Sequence, residues 1–325
     1  MGYNFCTLFD KNYLYKGLAL YNSLSRNCSN FKLFILCMDD VTYNLLQKID
    51  LEKVELISLE EFEDPELVKI KNTRTWAEYC WTCTASLILF LLKKYSNSIM
   101  MTYLDADLFF YINPNPVFDE FDGDYIFITE HNPSRELERL LIYGKYNVQF
   151  IIFRNNSEGV RTLDWWRKKT ISRCYSRRWG KNMQGGDQIY LNDWPTRFKK
   201  VHVLQNKKLC LAPWNVNKYI LTSRNKDIYV DDTKLVFYHF HSFEINGFNK
   251  FTLADGAYKI PKSARELIYR PYIEELKSII QYVTKLDPNF KYGIIRRNIK
   301  KRVKFFTKKI LYNYYRLLNL ISRKL

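Results

Sequence analysis

Through the first 125 residues, short β-rich runs alternate with stretches of helical periodicity, and this alternation constrains the fold more than any other feature. Residues 4–9 read as a strand. Asp10 and Asn12 then open a segment with Leu14, Leu18, Tyr21 and Leu24 at helical spacing. Residues 31–38 form a continuous apolar run ended by Asp39-Asp40, followed by a helical pattern over 43–49 and a strand at 54–58. Residues 84–94 predict an apolar-faced helix, and residues 98–104 a strand that stops at Asp105. Strands are further expected at 125–129, 148–154 and 201–204, with helices at 160–170 and 187–193 between them. Strands separated by helices predict an α/β fold, a mostly parallel central sheet with helices on both faces. Ligands of such sheets bind at the carboxyl ends of the strands, where Thr7–Tyr13 and Leu104–Asp107 fall.

The 325 residues, 47% of them hydrophobic, suffice for one large core and an appendage. The core domain is expected over residues 1–260 and a helical C-terminal extension over 261–325. The net charge of +17 is concentrated at the end: residues 291–325 hold twelve Lys or Arg and no acid, leaving +5 for residues 1–290. A body so weakly charged does not read as a nucleic-acid enzyme, and no nucleic-acid partner is expected. The seven cysteines are odd in number and lie in apolar runs, so they read as buried reduced thiols. Cys80 and Cys83 have zinc-ligand spacing but lack a second pair, which favours packing. The start of the chain lacks a signal-peptide pattern, and no apolar run approaches a membrane span, which predicts a cytoplasmic protein.

Asp105-Ala106-Asp107 is the chemical centre of the sequence. Residues i and i+2 of a strand face the same way, so both carboxylates can meet one hard cation, Mn²⁺ or Mg²⁺, able to bridge two phosphates. Asp122-Gly123-Asp124 has the same spacing but precedes a strand and reads as a turn. A haloacid-dehalogenase-type phosphatase also places two Asp after an apolar strand. Phe109 here does not fit the Thr or Val usual in that pattern.

Four motifs in order make the sequence specific: Thr7-Leu-Phe-Asp-Lys-Asn-Tyr13, Tyr103-Leu-Asp-Ala-Asp-Leu108, Gly186-Asp-Gln-Ile-Tyr-Leu191 and Tyr238-His-Phe-His241. Across about residues 4–245 the chain resembles the family 8-type glycosyltransferases, which have the GT-A fold. The bacterial branch it resembles more closely carries Glu78-Tyr79-Cys-Trp-Thr82, Asp187-Gln188 and Ala212-Pro-Trp-Asn215. The resemblance implies a Rossmann-like catalytic domain and a UDP-sugar donor. Asp10 and Asn12 would bind the uracil edge, Tyr13 would stack on the base, and Thr7 and Asp105 would contact the nucleoside. His239 would join Asp105 and Asp107 as a metal ligand, an imidazole that fits Mn²⁺ better than Mg²⁺. Asp187 and Gln188 would lie beside the anomeric carbon of a reaction that retains configuration. Arg74, Asn147, Gln149, Trp214, Asn215 and His241 are the residues expected toward the sugar and the acceptor.

Three departures from the family pattern fall on that same side. Asn147-Val-Gln149 stands where Asn-x-Gly is usual, Trp81-Thr-Cys-Thr84 lacks an Arg facing the donor, and Ser242-Phe-Glu-Ile-Asn-Gly247 replaces Gly and Lys-Pro-Trp. In the tail, Ile295, Ile299, Val303, Phe306, Ile310, Tyr314, Leu317 and Ile321 make one apolar stripe on a Lys/Arg-rich helix. Such a helix suits an anionic membrane surface, the alternative being a helix docked on the catalytic domain through its stripe with its cations solvated. The sequence therefore predicts a peripheral enzyme on the inner membrane face, acting on a glycan or lipid-linked glycan acceptor such as that of lipopolysaccharide. The competing readings are a phosphatase or nucleotidyltransferase using Asp105 and Asp107, and a non-enzymatic membrane- or nucleic-acid-binding protein.

Overall fold

The computed structural model describes residues 2–176 and 185–295. Its strands in chain order are β1 (Tyr3–Phe9), β2 (Phe31–Cys37), β3 (Val54–Ile57), β4 (Met100–Leu104), β5 (Leu108–Phe110), β6 (Ile126–Glu130), β7 (Tyr146–Arg154) and β8 (Val201–Val203). There follow β9 (Cys210–Leu211), β10 (Leu221–Arg224), β11 (Asp227–Val230), β12 (Thr233–Lys234), β13 (Phe237–His239), β14 (Glu244–Gly247) and β15 (Lys250–Thr252).

Seven strands make the central sheet in the order β3-β2-β1-β4-β7-β6-β8. The β1, β2, β3 and β4 pairings are parallel, as is β6 with β8, while β7 pairs antiparallel with both β4 and β6. β7 alone therefore runs against the other six, and the mixed sheet is mostly parallel as expected. The pleat sends alternate residues into two cores. Phe5, Phe9, Leu33 and Ile35 join Leu14, Leu18 and Leu24 of the helix Leu14–Asn27 on one face. Cys6, Leu8, Phe34 and Leu36 join Leu87, Ile88, Leu91 and Trp166 from the helices Trp76–Lys94 and Ser157–Ser172 on the other.

Local chemistry fixes the helix starts. Asp39 caps the helix Asp40–Ile49 by accepting from Thr42 N, and Asn156 caps the helix Ser157–Ser172 by accepting from Gly159 N. The helix expected from residue 84 begins at Trp76, because Thr75 and Glu78 form a reciprocal capping box ahead of it. Cys80 and Cys83 lie inside that helix, and all seven cysteines are free. The Asp122-Gly123-Asp124 segment is a turn with Gly123 at φ 72°.

The helix Arg270–Leu286 buries Tyr272, Leu276, Ile279, Ile280 and Val283 in the same core as the helix Leu14–Asn27. The amphipathic stripe expected over 295–321 lies, apart from Ile295, outside the described residues. Among the described residues no helix is long and apolar enough to cross a membrane.

Candidate active site

The site is built where strands end. β4 stops at Leu104, and Asp105 turns the chain: its N–H donates to Gln149 O at 2.9 Å and its carbonyl accepts from Leu108 N at 3.1 Å. The chain then enters β5, which pairs antiparallel with β13 in a register that sets Leu108 opposite His239. Phe240 N closes the join on Asp107 O at 2.9 Å. A small sheet, order β5-β13-β9, thus carries a histidine from 132 positions away to the aspartates.

The Asp105, Asp107 and His239 ligand atoms all lie within 4.8 Å of one another. His239 Nε2 is 3.0 Å from Asp107 Oδ1 and 3.7 Å from Asp105 Oδ2. Its other nitrogen, Nδ1, is 2.8 Å from Gln149 Oε1. The Gln149 oxygen can only accept, so Nδ1 carries the proton and Nε2 faces the carboxylates. Two carboxylates and an imidazole turned this way are a donor set suited to a divalent transition ion such as Mn²⁺. Burial opposes the charged form of His239, yet Asp107 and Asp105 hold its pKa above the ordinary imidazole value. Burial also raises Asp105, whereas His239 and Lys16 outweigh burial at Asp107 and keep it ionised.

These groups form the floor of a cleft of about 720 Å³. At one end stand Asp10, Asn12 and Tyr13. Asp10 accepts from the backbone of Asn12 and Tyr13 at 3.0 and 3.2 Å, from Asn12 Nδ2 at 2.9 Å and from Trp76 Nε1 at 3.0 Å. Its carboxylate therefore shapes the loop that presents Asn12 and the 43%-exposed Tyr13 ring. Asp187 and Gln188 also line the cleft, Asp187 close to Asp105. Gly185 passes so close to Tyr143 that a Cβ would meet its carbonyl oxygen at 2.1 Å, and Gly186 has φ 63°. Those two glycines bring Asp187 to the floor. Burial, with Asp105 close by, pushes its carboxyl up to about 8.

The far wall is aromatic. Trp214 packs edge-on against His131, His239 and His241 at 5.1, 5.3 and 5.6 Å between ring centroids. His131 Nδ1 donates to Gly144 O at 2.9 Å, and its Nε2 meets Asn147 Nδ2 at 2.8 Å. Burial pushes both His131 and His241 down to about 4, so both are neutral near pH 7.

Of the residues expected from sequence, Asp10, Asn12, Tyr13, Asp105, Asp107, Asn147, Asp187, Gln188, Trp214, His239 and His241 line this one cleft. Four do not. Thr7 is fully buried in β1. Arg74 donates to Thr82 Oγ1 and to the carbonyls of Thr170, Ile171 and Cys174, tying the helix Trp76–Lys94 to the end of the helix Ser157–Ser172. Asn215 accepts from Ala212 N at 2.8 Å and so braces the loop carrying Trp214. Gln149 holds His239. Residues not foreseen include Trp76, Trp81, His131 and Tyr258 in the lining, and the buried Lys16, whose ammonium is 3.7 Å from Asp107 Oδ2. Lys16 lies off the Leu14/Leu18/Tyr21/Leu24 stripe of its helix, so periodicity gave no signal for it.

Comparison with known proteins places the chain in a family and a fold. The chain is 32% identical over 301 residues to the uncharacterized protein YfnD of Bacillus subtilis (strain 168), spanning 91% of this chain and 96% of YfnD. It is 30% identical over 298 residues to YfnF of the same strain, spanning 88% and 95%. The chain belongs to the family of YfnD and YfnF. No protein-family model matches this member. Among solved structures, this YfnD-family chain is similar to galactosyltransferase LgtC in complex with donor and acceptor sugar analogs. The TM-score is 0.54 at 12% identity over 85% of this chain and 95% of LgtC. An active-site mutant of LgtC matches with TM-score 0.51 at 11% identity, over 82% of this chain and all of that one. The family fold is therefore GT-A.

Proposed function

We propose that the chain is a metal-dependent glycosyltransferase that takes its sugar from a nucleotide-sugar, a UDP-sugar by the Asp10/Asn12/Tyr13 loop. One observation carries the reading. Asp105, Asp107 and His239 stand grouped on the floor of a cleft whose described lining also includes Asp10 and Asp187. A divalent cation held by that group of three would offset the carboxylate charge and give a diphosphate its counter-ion. Mn²⁺ suits this mixed oxygen and nitrogen set, and when bound it supplies charge neutralisation for the departing nucleoside diphosphate.

With the base at the Asp10/Asn12/Tyr13 loop and the diphosphate at the metal group, the sugar would lie beside Asp187 and Gln188. A neutral Asp187 carboxyl can donate to a sugar hydroxyl, while the Gln188 amide offers a dipole to an oxocarbenium-like centre. We infer a retaining transfer, with the acceptor entering along Trp214, His131, His241 and Tyr258. This wall of aromatic faces and neutral imidazoles suits an uncharged sugar of a surface or lipid-linked glycan. The basic segment 291–325 would hold the enzyme against an anionic membrane at the inner face. Flotation with anionic liposomes tests that part, and equal partitioning of the chain with and without 291–325 refutes it.

Turnover tests the main reading. UDP released from a panel of UDP-hexoses should appear with Mn²⁺, disappear with EDTA, and fall at least 100-fold in Asp107→Asn. Release of phosphate from simple phosphate esters, with no UDP-sugar turnover, would refute it in favour of a phosphatase.

A further inference from the structure

Lys16 is the least expected group beside the site. It sits one helical turn beyond Tyr13, in the helix Leu14–Asn27, and is only 7% exposed. Its Nζ is 4.2 Å from the centre of the Tyr13 ring and 3.7 Å from Asp107 Oδ2. The second distance is longer than a direct hydrogen bond. Lys16 also lines a smaller hollow of about 410 Å³ together with Asn12, Tyr13, Ser242 and Glu244. The ammonium therefore stands between the base loop and the metal group, touching the boundary of both.

Burying an ammonium is costly unless something repays it, and Lys16 is met by the long Asp107 contact, the Tyr13 ring and the field of Glu244. The charges show what a bound donor would add. A divalent ion held by Asp105 and Asp107 is matched by their own two negative charges. A nucleotide-sugar brings two more, on its diphosphate. Lys16 is within 4.2 Å of the Tyr13 ring centre and 3.7 Å of Asp107, and segment Ser242–Gly247 beside it offers Glu244 but no Lys or Arg.

Resting on the nucleotide-sugar reading, we propose that Lys16 is a diphosphate-binding residue, its ammonium contacting the phosphates between the base loop and the Asp105/Asp107/His239 group. In the absence of donor its charge is held by Asp107. With donor present it neutralises the phosphates and stabilises the nucleoside diphosphate as it leaves.

The test measures Mn²⁺-saturated binding of UDP and of uridine to the wild-type chain, Lys16→Met and Lys16→Arg. Lys16→Met should weaken UDP binding about 10- to 100-fold while leaving uridine within about twofold, and Lys16→Arg should recover part of the loss. Unchanged uridine binding doubles as the control for folding. Should Lys16→Met not fold, Lys16→Gln supplies the same comparison with a polar head. A variant that binds UDP as tightly as wild type overturns the assignment, as does an equal loss for UDP and uridine, which marks Lys16 as structural. In both cases wild-type UDP binding leaves the nucleotide-sugar reading standing. A wild-type chain that binds no UDP overturns both.

Discussion

Replacing Gln149 by leucine tests whether the orientation of His239 is built into the sheet. Gln149 is 3% exposed, on β7 between β4 and β6, and its Oε1 takes the Nδ1 proton of His239 at 2.8 Å. Its own amide nitrogen reaches Thr129 Oγ1 at 3.4 Å. Leucine fills much of the same volume but leaves a buried imidazole N–H without an acceptor, which costs about 1–3 kcal/mol. For a domain of this size that is a fall in Tm of roughly 2–6 °C. Freed of its partner, His239 can rotate or move its proton to Nε2, and outer partners of this kind are worth about 10- to 100-fold in metal affinity. Differential scanning fluorimetry in EDTA reads the first effect, and Mn²⁺ titration calorimetry the second. Gln149→Glu, which keeps the acceptor, should retain Mn²⁺ binding. A folded Gln149→Leu protein with wild-type Mn²⁺ affinity would refute the reasoning.

Three further outcomes are expected. Gly17→Ala should destabilise the chain by about 1–3 kcal/mol in urea denaturation, despite alanine's better helix propensity, because a Cβ there would lie 2.4 Å from the Phe9 ring; a gain in stability would contradict the packing. His131 has a folded pKa of about 4, below its ordinary 6.5, so the unfolded chain takes up the proton first. Stability should fall as pH drops from about 6.5 toward 4, by up to about 3 kcal/mol from this residue, and His131→Phe should flatten the slope measured by urea denaturation. A thiol titration of the native chain should count no more than one reactive cysteine, since Cys80 alone is not fully buried; two or more would mean the helix Trp76–Lys94 is packed differently.

Much of the fold was legible because its signals are local. β1, β2 and β4 each announce themselves as apolar runs closed by polar residues, and Asp105 falls where β4 ends. The start of the helix Trp76–Lys94 was misplaced because its first turns are amphipathic aromatics, while its signal, the Thr75/Glu78 box, is chemical rather than periodic. At the site, the aspartates and His239 were found through motif order. What Gln149, Arg74 and Asn215 do depends on pairings between distant segments: Gln149 meets His239 across 90 positions, and Arg74 meets Cys174 across 100. No periodicity encodes such contacts. Lys16 was hidden differently: it lies off the Leu14/Leu18/Tyr21/Leu24 stripe, and nothing along the sequence says that its side of the helix is buried too or which carboxylate stands opposite.

The proposed function depends most on a cation at Asp105, Asp107 and His239 making the cleft receptive to a nucleoside diphosphate. Calorimetric titration of UDP into the full chain, in saturating Mn²⁺ and again in EDTA, measures that directly. UDP should bind in Mn²⁺, and binding should be lost in EDTA and in Asp107→Ala. Equal UDP binding with and without the metal, or none in either, would contradict it.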